Sequence, residues 1–530
     1  MSPAQRTDGP AVVSRTSGPP SPATEAKAKL SAWVVVATCV IVYAGALRCG
    51  FAFDDHLMIE GNRVVQAGTL RDIFAGEYWG TIAPRAQSHG YRPITILTLR
   101  LNHALSGLAP WSYHALNVLL HALVSLTVLA LARRLGFSGS AALAASLLFA
   151  VHAIHTEAVT AIAGRAELLA ALGVLAGLLA HDRGRAYLAA GVFALGLLSK
   201  EIAIVFPALA LAWDVARRRR LLGSAYAAYA GVILGFFALR LGVTGYAMPT
   251  FAVLPLDNPL ASAPTGERLL SATAVLGRYA ALLVAPIRLS ADYALGALPI
   301  LRTPLDPYFM LGFIVFAGAA AGAVALWRRH PDLSFALATL VLGFAPVSNL
   351  VVPIHTMMGE RLAYLPSVGF CLLAAELLAR PGRWFTAALA IVLVAHAART
   401  HVRNADWKED AAVFSAAYRV TPGSARVANN YGNVLKLHGD VEGALAQFRR
   451  AAAIYPDYTD AYRNEYLALA GLGRTHEAAV AAASAARALL RLGYPREALA
   501  AAADARRADP GIDLRDVEAR AGSLLERGQN

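Results

Sequence analysis

The sequence predicts an all-α, polytopic membrane protein with a C-terminal domain of stacked helices. Three observations carry that prediction. Apolar residues make up 57% of the chain and charged residues only 16%, whereas soluble domains run near one quarter charged. Apolar runs recur from residue 30 to residue 398 with short arginine clusters between them, as membrane helices do between cytoplasmic loops. From about residue 404 the chain becomes Ala-rich and soluble in character.

The net charge of +13 does not point to nucleic acid, because the basic residues fall in loops rather than on one face and no DNA- or RNA-binding signature is present. The three cysteines, Cys39, Cys49 and Cys371, form no CxxC, so neither a disulfide framework nor a cysteine-rich zinc site is expected.

Residues 1–29 are rich in Pro, Ser and Ala with scattered basic residues, the composition of a disordered tail. The run 30–47 is long for a signal peptide and is read as an uncleaved anchor, with the basic tail cytoplasmic. Residues 54–110 are too polar to cross. Their amphipathic pieces, 57–74 and 94–105, fit helices lying in the interface of an external loop. Further runs follow at 113–132, 141–151, 168–180, 186–198, 202–215, 222–239, 308–326, 333–347, 362–379 and 384–398. The run 269–287 is ambiguous. Treating it as a surface or re-entrant helix keeps the clusters 133–134, 217–220, 328–329 and 380–383 on one side, as the positive-inside rule prefers. About 11 spans result. Several are shorter than a straight crossing needs, so their polar ends must extend into a protein-lined cavity.

In the C-terminal part, Gly432, Leu435, Gly439, Ala444, Phe448, Ala451 and Pro456 recur at the spacings of a tetratricopeptide repeat. Leu469, Gly473, Ala478 and Ala485 give a second, weaker one, with Leu490 where proline is expected. Gly493, Ala498, Ala502, Ala505 and Pro510 give a third half-repeat, and 514–526 a capping helix. An α-solenoid is therefore expected over 404–530, after a membrane domain over 30–403.

Five polar groups meet on the outer side of this topology. They are Asp54-Asp55-His56; Ser88-His89-Gly90-Tyr91-Arg92-Pro93; His152, His155 and Glu157 with Arg165 and Glu167; Ser199-Lys200-Glu201; and Glu360-Arg361 with Tyr364. Each has a structural reading. Asp54 and Asp55 fit headgroup-level carboxylates or a helix cap, His152 and His155 fit packed, hydrogen-bonded rings, Lys200-Glu201 and Glu360-Arg361 fit interfacial charges, and Arg165 with Glu167 fits a helix cap. Ionisable residues at membrane depth are costly and mark function, and five groups on one face exceed what those readings explain. Carboxylates facing cations at a membrane surface suit glycosyl transfer from a lipid-linked phosphate sugar. A carboxylate takes the acceptor proton, and Arg or Lys meets the charge growing on the phosphate. A zinc site at His152, His155 and Glu157 is the rival. The histidines are three apart, but Glu157 is placed elsewhere on a helix and no HExxH is present.

Phe53-Asp54-Asp55-His56-Leu57-Met58-Ile59 with Asn62, Tyr91-Arg92-Pro93-Ile94-Thr95, Tyr113-His114-Ala115-Leu116-Asn117, the segment Phe149 to Ala158, Leu198-Ser199-Lys200-Glu201, Leu289-Ser290-Ala291-Asp292-Tyr293 and Glu360-Arg361-Leu362-Ala363-Tyr364 occur in that order. The ordered set, over about residues 51–510, resembles the transmembrane and tetratricopeptide-repeat-containing O-mannosyltransferases. More distantly it resembles the protein O-mannosyltransferases of GT-C fold. The resemblance implies a GT-C-type core and an inverting transfer, mannose most of all, from a polyprenyl- or dolichyl-phosphate sugar to a protein Ser or Thr. It implies Asp54 as base with Asp55 beside it. Donor-phosphate contacts are expected from Arg361 and Lys200, then Arg92 and Arg165, with His152, His155, Glu157, Glu201, Glu360 and Tyr364 in support. No metal is assigned. The expected partners are the lipid-linked donor and a protein acceptor, held by the repeats. The expected setting is a bacterial plasma membrane, with site and repeats facing out. The chain departs from the pattern in its short repeat array and in Ala153, where proline is frequent. A ligase using a lipid-diphosphate glycan and a non-enzymatic scaffold are the alternatives. A scaffold has no need of ionisable residues gathered at one membrane face.

Overall fold

The structure, a computed structural model, describes residues 22–79, 90–246 and 253–527. Most of the 1–29 tail and the pair Ser88-His89 lie outside the described residues. Every regular element among the described residues is helical. Six helices of 20–25 residues are long and apolar enough to cross a bilayer: Glu25–Arg48, Trp111–Leu135, Ile162–Asp182, Gly223–Thr244, Pro307–Leu326 and Arg383–Ala405. At 1.5 Å per residue, about 20 residues match a hydrocarbon core of about 30 Å. The protein is an integral membrane protein.

The remaining apolar segments are shorter and broken, and the site is built where they stop. Gly139–Val151 and Ala153–Val159 meet at a bend of 47°, with His152 at the break. Ala186–Leu197, Pro331–Val347 and Ser367–Leu378 are the other short apolar helices. Among the described residues, six helices, or seven with the bent pair, are long and apolar enough to cross on their own; the expected 11 or so also counted the shorter runs. Irregular backbone follows Ala186–Leu197 at Ser199-Lys200 and Pro331–Val347 at 348–359. Such backbone is tolerated at membrane depth only where protein surrounds it.

The ambiguous run forms the helix Thr265–Val284. It packs closely against the helix Pro307–Leu326. A Cβ on Gly277 would stand 1.8 Å from the Tyr308 carbonyl oxygen and 2.8 Å from the Gly312 nitrogen, so two backbones touch where neither residue has a side chain.

Beyond Ala405 the helices Asp410–Val420, Ala425–Leu437, Val441–Ile454, Thr459–Gly471, Thr475–Arg491, Pro495–Ala508 and Arg515–Glu526 follow one another, each packed on the next. Their contacts are Ala-rich, with Phe448 buried among Ala444, Ala468 and Leu469. Thr475–Arg491 runs 17 residues because Leu490, unlike a proline, does not stop it.

This helical array is tied to the membrane part by a hydrogen-bonded junction. The Ala425 N–H donates to the Leu295 carbonyl at 2.9 Å, and the Leu295 N–H to that of Leu256 at 2.9 Å. Ser424 Oγ donates to Asp292 at 3.1 Å, Arg426 donates to Asp292 at 3.1 Å and also pairs with Asp257. Gly296 has φ 85° and a Cβ there would meet the Gly423 carbonyl oxygen at 2.2 Å. Only glycine fits both requirements. The array therefore sits on the face of the membrane domain that carries the loop 49–56.

Candidate functional site

Arg361 stands at the centre of the candidate site. The turn Glu360–Ala363 presents it, and Tyr279 fixes that turn by accepting from the Gly359 N–H at 3.0 Å and donating to the Gly359 carbonyl at 2.8 Å. Arg361 NH1 donates to Asp54 Oδ2 at 3.1 Å, and its Nε lies 3.4 Å from Glu157 Oε1. The Arg361 backbone N–H also donates to Glu157 Oε2 at 2.9 Å. Arg361 and Asp54 keep 28% and 22% of their side chains exposed, while Glu157 keeps 4%. The pair on the open side is thus Arg361 and Asp54.

The two adjacent aspartates do different work. Asp55 is buried and accepts from the backbone N–H groups of Ala163 at 2.8 Å, Ala52 at 3.3 Å and Ile162 at 3.4 Å. It pins the loop to the turn that opens the helix Arg165–Asp182. Burial raises its pKa to about 7, against the opposing pull of those N–H groups. Asp54 is turned the other way because Phe53 adopts a left-handed backbone, φ 55°, a conformation that costs about 1–2 kcal/mol for a residue with a Cβ. The Phe53 N–H donates to Asp410 Oδ1 at 2.7 Å, and its ring meets Phe414 edge-on at 5.5 Å. Both partners lie on the first helix of the C-terminal array. That array completes the loop carrying Asp54.

A second charged cluster faces this one. Arg92 makes a two-nitrogen contact with Glu201, at 3.0 Å from Nε and 2.9 Å from NH2, and lies 4.6 Å over the Tyr78 ring. Arg240 approaches the other Glu201 oxygen at 3.8 Å. Lys200 pairs with the buried Glu167. Burial lowers the Lys200 pKa, Glu167 opposes this, and the positive charges of Arg92 and Arg361 add to the lowering. Tyr78 feels Arg92, Arg361 and Asp54 together. Three cations therefore share one electrostatic neighbourhood.

Other sequence-predicted residues are placed away from it. The Arg165 guanidinium is fully buried and spent on Asn117 at 2.8 Å, Asn102 at 2.6 Å and the Tyr113 carbonyl at 2.9 Å; it locks three helices together and has no face toward a phosphate. His152 lies 2.8 Å from the Leu283 carbonyl and accepts from the Ile154 N–H at 3.2 Å. His155 lies 2.9 Å from the Phe149 carbonyl and 2.8 Å from Ser367 Oγ. Tyr364 lies 2.8 Å from His121. These are packing histidines and tyrosine behind the site. Glu360 turns from its neighbour Arg361, accepting from the Ser290 N–H at 2.5 Å and the Tyr293 hydroxyl at 2.9 Å, with Arg403 at 3.7 Å. Burial raises its pKa to about 8.

The sequence reading missed Asp410, Tyr279 and Tyr78. Asp410 gives only the signal of an acidic residue in a first helical turn, which the helix dipole already accounts for. Tyr279 and Tyr78 give none.

Residues 245–320 match the family model described as "Protein O-mannosyl-transferase TMTC, DUF1736". Residues 88–241 match that of "Dolichyl-phosphate-mannose-protein mannosyltransferase". The chain is 33% identical to Protein O-mannosyl-transferase TMTC3 of Homo sapiens, over 84% of this chain and 53% of that one. It is 31% identical to Protein O-mannosyl-transferase Tmtc3 of Drosophila melanogaster, over 94% and 62%. It is 30% identical to Protein O-mannosyl-transferase F38B6.6 of Caenorhabditis elegans, over 80% and 63%. The chain thus spans about half to three fifths of the length of these relatives.

Two expectations follow from this geometry. Asp410→Ala removes the acceptor for the strained Phe53 N–H, and a loss of about fivefold to thirtyfold in turnover follows from 1–2 kcal/mol of released strain. Asp410→Asn keeps an acceptor oxygen and should retain most of the rate; equal losses in both would make the interaction ionic instead. Asp55 has a folded-state pKa raised to about 7 from an unfolded value of about 3.9. The folded state then holds a proton that the unfolded chain has released, so stability falls as pH rises across that window. The Tm of the detergent-solubilised protein should decline from about pH 5 to about pH 7, and Asp55→Asn should flatten part of the decline.

Proposed function

The chain belongs to the TMTC family of protein O-mannosyl-transferases, and from that premise we propose an integral-membrane glycosyltransferase that moves mannose from a polyprenyl-phosphate donor to a protein Ser or Thr. The observation supporting this is the Arg361 bridge. One guanidinium joins Asp54 and Glu157 through NH1 and Nε, and no hydrogen bond occupies its NH2 among the described residues. A guanidinium has five N–H donors, so Arg361 is able to take a phosphate oxygen while still orienting Asp54.

In this mechanism the acceptor hydroxyl oxygen attacks the anomeric carbon from the side opposite the phosphate. The bond from that carbon to the phosphate oxygen breaks, and its electron pair stays on the lipid phosphate. The acceptor proton passes to Asp54, and the sugar inverts. The growing phosphate charge is met by Arg361, with Lys200 and Arg92 adding positive field. Preorganised charge of this kind is the largest single contribution in many enzymes. Glu157, Glu167 and Glu201 hold the three cations in place without meeting substrate. The acceptor protein is held by the C-terminal helices, read as tetratricopeptide repeats. Site and repeats face the exterior of a bacterial plasma membrane.

In purified, folded protein, Asp54→Asn should lower turnover by about 10² to 10⁴, the usual contribution of a general base, with donor affinity retained. Arg361→Gln and Lys200→Gln should weaken donor binding as well as rate. Asp55→Asn should show its effect first in stability. Near-wild-type turnover in Asp54→Asn overturns the assignment. Consumption of a lipid-diphosphate oligosaccharide in place of the lipid-monophosphate sugar would make the protein a ligase.

A further inference from the structure

A groove of about 510 Å³ lies between the helices Asp410–Val420 and Ala425–Leu437. Its volume falls within the range of about 300–1,000 Å³ typical of ligand sites. Asp410 and Phe414 form one wall; Asn430, Asn433 and Leu437 form the other. Asn430 and Asn433 are three apart on one helix and so share a face. The Asn433 side chain has no hydrogen bond among the described residues. Leu437, at 79% exposed, is an apolar side chain that the fold does not bury.

We infer that this groove is the subsite for the acceptor polypeptide, bound as an extended segment; the inference rests on the transferase reading above and says where its protein substrate lies. Continuity with the site is the first support. Asp410 and Phe414 are the two residues that hold Phe53, and Phe53 is bonded to Asp54. A segment in the groove touches the same side chains that aim the carboxylate, and its hydroxyl needs to come within hydrogen-bond reach of that carboxylate. Chemistry is the second support. The Asn433 amide offers both a donor and an acceptor, the pair of functions that an extended backbone leaves open at every residue, and Asn430, whose Oδ1 accepts from the Asn429 Nδ2 at 3.3 Å, adds its own N–H donors. A helical segment satisfies its own backbone and gains nothing from those amides. Such a groove reads backbone rather than sequence, with Leu437 seating whatever apolar group the segment carries. Occupancy also buttresses Asp410 and Phe414, so a bound acceptor steadies the strained turn before Asp54.

The test uses the full chain in detergent, with a short unstructured peptide bearing Ser and Thr as the probe. Binding is read by fluorescence anisotropy, and transfer and donor hydrolysis are read with a polyprenyl-phosphate sugar. Asn430→Ala with Asn433→Ala should weaken peptide binding and lower the ratio of transfer to hydrolysis by about tenfold each, the scale of two lost hydrogen bonds. Leu437→Trp, at an exposed position that leaves the fold intact, should fill the groove and reproduce both effects. A peptide of scrambled sequence should bind as well as the first. No binding by the wild-type chain, or equal binding and an equal ratio in wild type and both variants, overturns the inference. Binding that depends on the asparagines, without any turnover of the lipid-phosphate sugar, upholds the groove and removes the transferase reading instead.

Discussion

The contact on which the site depends is the one between Arg361 and its two carboxylates, Asp54 and Glu157. It joins three segments that are distant in sequence: the loop after the first span, the bent region after His152, and the turn before Ser367. The first follows a full-length apolar helix, Glu25–Arg48, and the other two lie at a bent helix pair and beside short apolar helices. A charge at membrane depth is stable only when paired and surrounded by protein, so the broken helices and the ion pair require one another. Arg361 and Asp54 stay partly exposed, while Glu157 is sealed behind them.

Two further constraints turn that edge into a working arrangement. Asp55, pinned by three backbone N–H groups, anchors the loop, and the left-handed Phe53 swings Asp54 away from that anchor. Strain of this sort persists only where the surroundings over-determine it and clusters at functional sites. Here the surroundings are Asp410 and Phe414 on the C-terminal array, itself seated by the Asp292–Arg426–Asp257 contacts. In this account the array is part of the catalytic architecture and not an appendage. The proposed acceptor groove lies on the same two residues.

The all-α membrane class was legible from apolar runs and arginine clusters, because bilayer thickness imposes length directly on sequence. The helix ends near residues 111, 135, 326 and 383 follow from that. Which of the shorter runs cross was not legible, since a short apolar helix ending in protein leaves the same trace as a poor crossing. Within the candidate site, the sequence brought Asp54, Lys200, Arg92 and Arg361 to one face, and the structure gathers them. It did not separate Asp54 from Asp55, because the separation comes from a positive φ on an aromatic residue, where composition gives no glycine to mark it. Arg165 looked like a phosphate ligand because its holders, Asn102 and Asn117, are 63 and 48 residues away along the chain. The histidines His152 and His155 carried a metal-like spacing but are used to close a helix break. Asp410 pairs with Phe53 across 357 residues, a contact that no local pattern encodes.

The central claim is that Arg361 and Asp54 act as one unit, the cation orienting the base while it receives the phosphate. A double-mutant cycle on turnover of the lipid-phosphate sugar tests it most directly, with Asp54→Asn, Arg361→Gln and both together in folded protein. Residues that act as a unit give strongly non-additive losses, so the double variant should be scarcely slower than the worse single variant. Losses that multiply would contradict the account and place the two residues in independent roles.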